Sequence, residues 1–139
     1  MAKGFDADGL CTAMGVFLAE HAPLAVAFGE LPVVVDAADL KATVFPRVSI
    51  GEIQPVISDL GCGAEYAVTV TVHVWTSEAG LVACRRISTA LETALNGFDP
   101  DVAGFSLKSH EAIGLRTLRD PKPGIGHGFG SKTYNFNAA

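Results

Sequence analysis

His73, Cys62 and the segment GIGHGFG at residues 124–130 are the places where this sequence could do chemistry. A histidine works as a general base when a nucleophile lies within hydrogen-bond reach and an acid orients its ring. Cys62 would be that nucleophile if a nearby cation held it as a thiolate. Glycines bare their backbone N–H groups, as a phosphate cradle requires. The residue types are present, but their spacing does not support the chemistry. His73 has Thr71 and Trp75 as its i±2 neighbours, and neither is an orienting acid. Gly124, Gly126, Gly128 and Gly130 alternate strictly, giving neither G-x-G-x-x-G nor a P-loop lysine, so the segment reads as a mobile hairpin loop. His73 reads as a residue on the more polar face of a sheet, or at a subunit contact.

Metal chemistry fares no better. His21, His73, His110 and His127, with Cys11, Cys62 and Cys84, never fall in a C-x-x-C or H-x3-H pattern. DPDVAG at residues 99–104 starts like a calcium loop, with Asp99 and Asp101 at the first and third places and Gly104 at the sixth. It fails at the fifth, Ala103, and at the twelfth, where His110 replaces the bidentate glutamate. Asp36 and Asp39 lie among small residues with no histidine or arginine close in sequence, and read as solvated turn residues. No catalytic residue, metal or cofactor is expected.

These residues depend for their positions on a few strong elements. In YAVTVTVHVW, residues 66–75, Tyr66, Val68, Val70, Val72 and Val74 alternate with Ala67, Thr69, Thr71, His73 and Trp75, which is a strand with one buried face. A helix should follow, because Leu81, Cys84, Ile87, Ser88, Leu91, Ala94 and Leu95 form one stripe. Ser77 is its expected N-cap, Glu78 suits its first turn, Asn96-Gly97 closes it, and Arg85, Arg86 and Glu92 face solvent. The valine face should lie under Ile87, Leu91 and Leu95.

Leu10, Ala13, Met14, Phe17 and Leu18 mark an earlier helix, capped by Asp8 and ending near His21 with Pro23 beyond it. Phe28, Leu31 and Val33-Val34-Val35 suggest one short strand, followed by a long loop. In residues 45–56, Phe45, Arg47 and Ser49 alternate with Val48 and Ile50, and two prolines confine the segment to an edge or to strand ends. Residues 105–109 and 112–119 read as strands, as does a last segment in which Tyr134 and Phe136 share a face. This order predicts one α+β domain over residues 1–139, an antiparallel or mixed β-sheet with two main helices packed on one face.

Composition points to association. With 49% hydrophobic and 18% charged residues in 139, the chain is rich in apolar side chains for a small monomer, so part of its surface should meet a partner. A net charge of −5 argues against an outer surface that tracks nucleic acid. Three cysteines without paired spacing fit free thiols in a reducing cytoplasm. Asp6 and Asp8 precede the first apolar stretch, where a secretory signal wants positive charge, and no apolar run is long enough to span a membrane, so neither export by that route nor a membrane partner is expected.

Three segments in order, FPRVSIGE, VTVTVHVWTSEAGLVACRRISTALETAL and the closing D-P-x-x-G-x-G-H-G-F-x-S-x-x-Y-x-F, resemble the phage tail-completion, or tail-terminator, family of head-to-tail joining proteins. The resemblance spans residues 45–137 and leaves out residues 30–43. It implies an α+β protomer in a homo-oligomeric ring, commonly a hexamer, that caps the tail tube protein and docks to a head-completion or connector protein. DNA would pass through its lumen only as cargo. Such a protein is made in the bacterial cytoplasm, resides in the virion or a gene transfer agent, and does no chemistry. Phe28, Leu40, Trp75, Ile125, His127 and Phe129 are the expected assembly contacts. They are isolated large side chains in or beside the loops at residues 30–43 and 121–130, which should be loose until a partner settles them.

Two other classes remain open on the residues alone. Convergence of His73, Cys62 and the glycine segment in one cleft would favour an enzyme. A twofold interface would favour a non-viral binding module.

Overall fold

The computed structural model describes residues 4–36, 44–59, 63–77 and 81–138. Its elements run α1 (Ala7–Ala19), α2 (Ala22–Phe28), β1 (Val34–Asp36), β2 (Arg47–Asp59), β3 (Ala64–Ser77), α3 (Val82–Asn96), β4 (Phe105–His110), β5 (Arg116–Arg119) and β6 (Ile125–Ala138). The fold is α+β. β3 is the centre of a mixed sheet, antiparallel to β2 on one side and to β6 on the other. β1 adds in parallel outside the start of β2, while β4 and β5 follow one another along the far side of β6.

Alternation in β3 sends Val68, Val70, Val72 and Val74 into the core, where all four are fully buried. The helices cover this face: α3 lies against β3 and β6, and α1 against β1 and β2. Ile87, Leu91 and Leu95 bury their side chains there, as the helical stripe predicts. α2 packs on α3, and Arg86 donates from Nε to the Ala27 carbonyl at 3.1 Å.

Several boundaries differ from expectation for identifiable reasons. Asp6, not Asp8, caps α1, its Oδ1 accepting from Gly9 N at 2.9 Å, while Asp8 lies in the first turn, where a negative charge suits the helix dipole. Pro23 opens α2 instead of marking empty chain, since a helix tolerates proline where no N–H bond is needed. Phe28 is therefore a buried residue at the end of a helix, not a strand or loop side chain offered to a partner. Ser77 is the last residue of β3, and α3 starts at Val82 without a side-chain cap. Residues 112–115 form no strand because α3 takes their backbone groups: Asn96 Oδ1 accepts from Ile113 N at 2.9 Å and Glu92 Oε1 from Leu115 N at 2.7 Å. Glu92 is thus half-buried and engaged, not solvated. β2 is an edge only beyond Ile50, where β1 ends, and Pro55 falls in that stretch.

The largest correction concerns the glycine segment. Residues 125–130 open β6, paired with β3 throughout and with β5 over residues 126–129, and are not a hairpin loop. A Cβ at Gly126 would come within 2.5 Å of Thr76 Oγ1 and 3.3 Å of Cys84 Cβ, and one at Gly128 would collide with Ser88 Oγ. The glycines let α3 lie close on the sheet. Leu40, Asp39, Cys62 and Glu78 fall outside the described residues.

Candidate interaction surface

The other sheet face carries the odd-numbered residues of β3 and β6, and no helix or strand among the described residues packs on it. Register decides what gathers there. Arg47 pairs with Trp75 and Ser49 with His73 across β2 and β3. His73 faces Phe129 and Trp75 faces His127 across β3 and β6. Arg116 and Leu118 of β5 complete the row opposite Phe129 and His127. Four strands therefore bring three aromatic or imidazole types and two arginines to one end of the open face.

Side-chain contacts knit the patch. The Trp75 and His127 rings stack with centroids 3.8 Å apart at 6°. His73 Nδ1 and His127 Nε2 lie 2.8 Å apart in rings inclined by 16°, so the two imidazoles share one hydrogen almost in their common plane. Phe129 closes the row at 5.2 Å from His127. Trp75 donates its indole N–H to Ser49 Oγ at 3.3 Å. The β2 bulge between Ile50 and Ile53 includes Gly51, where a Cβ would press on the Thr71 carbonyl and the His73 ring. Burial pushes both imidazoles below the ordinary 6.5. For His127 the neighbouring His73 adds to the fall and Asp120 opposes it.

The arginines border the patch without carboxylate partners among the described residues. The Arg47 guanidinium lies 4.8 Å over Phe45 and 5.6 Å over Trp75, and that of Arg116 lies 5.8 Å over Phe129. Of the expected contacts, Trp75, Ile125, His127 and Phe129 share this face and are half-buried. Phe28 is in the core, and Leu40 is not among the described residues. Arg47, Ser49 and Arg116 were not singled out, although the alternation of Arg47 and Ser49 against Val48 and Ile50 already set them on one face.

His73 does meet the glycine segment, but through His127, and neither a nucleophile nor an orienting carboxylate bonds to either ring among the described residues. Among the described residues, no three His, Cys, Asp or Glu side chains converge there to hold a metal ion. A second polar cluster lies on the helix side. Lys132, fully buried, donates to Asn96 Oδ1 at 3.2 Å, to His110 Nδ1 at 2.9 Å and to the Glu111 carbonyl, and His110 donates from Nε2 to Asp99 at 2.9 Å. This cluster ties the end of α3 to β4 and β6. With Nζ wholly enclosed, it offers no reactive amine to a ligand.

Comparison with known proteins agrees with the fold. A chain in a solved structure described as the virion of a native gene transfer agent particle matches with a TM-score of 0.82 at 20% identity, covering 97% of this chain and 100% of that one. No curated protein matches the sequence. The sequence does match the tail completion protein gp17 family, over residues 12–130, well beyond half its length. The chain belongs to the tail completion protein family, and so to the structural proteins of phage-like tails.

Proposed function

We propose that residues 1–139 act as one tail-terminator-like domain that closes into a homo-oligomeric ring, a hexamer by resemblance, capping the tail tube and joining it to the head connector without catalysing a reaction. The observation that carries this reading is the open sheet face. A row of half-buried aromatic and imidazole rings bordered by arginines without carboxylate partners among the described residues is a surface built for protein contact, because interface cores are enriched in aromatic side chains and arginine. Val26, Leu31 and Val82, 71–81% exposed, add a second apolar area on and around α2 and the start of α3. Two such areas on different sides suit the head-to-tail contacts of a closed ring. The pairing of His73 with another histidine supports a non-catalytic role for that residue.

Deleting the gene tests the reading. Lysates should then contain heads and tails unjoined, or tubes of uncontrolled length, and purified protein added back should restore joining. Normal joined particles in such a lysate would remove this function.

A further inference from the structure

The arginine-bordered end of the open face has a charge and proton inventory that narrows its partner. Arg47 from β2 and Arg116 from β5 face the histidine pair, with Glu52 in the β2 bulge and Asp120 just beyond β5. β3 and β6 present no charged side chain beside the pair on this face. The chain as a whole carries −5, yet neither arginine finds a carboxylate among the described residues. Trp75 and His127 stack on one another, Arg47 lies over Trp75 and Arg116 over Phe129, so ring edges and the outward imidazole nitrogens are left for a ligand. That disfavours nucleobases, which need free ring faces to stack on. It suits carboxylates, which take in-plane N–H donors and guanidinium forks.

The histidine pair adds a proton to the account. Sharing one hydrogen across 2.8 Å, it holds one N–H directed at one lone pair. A first added proton goes to an outward nitrogen and leaves an imidazolium donating to a neutral imidazole, whereas a further one would set two N–H groups against each other and two charges side by side, so the pair takes up one proton at most. A carboxylate seated beside the rings supplies both an acceptor for the outward N–H and a countercharge. We propose that this end of the open face docks a carboxylate-bearing segment of a neighbouring protein subunit, and that docking draws one proton onto the His73–His127 pair. This deepens, and rests on, the reading of the open face as an assembly contact.

A labelled hexaglutamate peptide is the probe, titrated into the full chain and followed by anisotropy and by calorimetry in two buffers of different ionisation heat. Binding should be about tenfold tighter near pH 6 than near pH 8, which corresponds to a mean uptake of about half a proton across that range. Arg116→Gln should weaken it at both pH values, whereas His73→Gln with His127→Gln together should abolish the proton uptake and with it the tightening at low pH. If that double variant does not fold, either single variant should shift the pH at which the proton is taken up. Absence of binding, binding without proton uptake, or tighter binding of an oligothymidylate at equal ionic strength would each overturn the proposal. Protein that joins heads to tails normally yet shows no proton-linked binding defeats this inference alone. Proton-linked binding by a protein whose loss leaves particles joined defeats the assembly reading instead.

Discussion

Lys132 shows how much a single side chain decides in this molecule. Burial lowers the pKa of its ammonium, and Glu111 and Asp99 oppose that fall. Its three acceptors, Asn96, His110 and the Glu111 carbonyl, hold α3 and β4 to β6. Lys132→Met keeps most of the volume but strands those acceptors, so it should destabilise by about 1–3 kcal/mol in urea titration; an unchanged midpoint would mean the network contributes nothing net. The histidine pair makes a pH-dependent contribution of definite sign. Both folded pKa values lie below the ordinary 6.5, so the stability they bring is complete above that value and is lost as pH falls through the folded values. Urea midpoints should drop on acidification below 6.5, and His73→Gln with His127→Gln together should flatten that part of the profile. Residue types at the patch were legible in the sequence, since Trp75, Ile125, His127 and Phe129 were already expected at an interface. Their mutual contacts were not, because only strand register sets His73 beside His127.

Elements were legible where period and length agree. β3 alternates over more than ten residues and α3 repeats its apolar stripe through four turns, so both stand out locally. α2 has seven residues, too few to show a helical period, and its proline reads equally as a stop or a start. β6 was hidden for a different reason: glycine is depleted in strands, and here it is required by how closely α3 approaches, a tertiary fact that no local pattern carries. Gly128→Ala should therefore destabilise by about 1–3 kcal/mol through overpacking against Ser88, and Gly128→Ala with Ser88→Ala should recover part of the loss. Leu91→Ala, which empties the core below α3, should cost about 2–5 kcal/mol. A thermally silent Leu91→Ala would contradict the packing of α3 on the valine face.

At the scale of the whole molecule the two ends of the sheet differ in charge. The patch end exposes Arg85, Arg86, Arg116, Arg119 and Lys122, while the opposite end, where Phe5 packs on Tyr66, Phe105 and Phe136, exposes Asp6, Asp8, Asp99 and Asp101. A protomer polarised in this way presents unlike surfaces to its two sides, which suits unlike partners above and below a ring better than a twofold contact of identical patches. The open face lies between these ends and carries Trp75, the only tryptophan in the chain, half-buried in the protomer. That residue reports directly on whether the face is covered. In the free protein its indole should be reached by acrylamide, and on assembly with tail tube or connector proteins quenching should fall and the emission shift to the blue as the ring edge loses water. Hydrogen exchange supplies the complementary reading: residues 126–129, paired on both sides, should be slow even in the free protein, so a change confined to Trp75 marks coverage of a formed surface and not the ordering of a loop. Equal quenching in free and assembled protein would place the assembly contact away from the open face, leaving the apolar area around Val26, Leu31 and Val82 as the surface to test next.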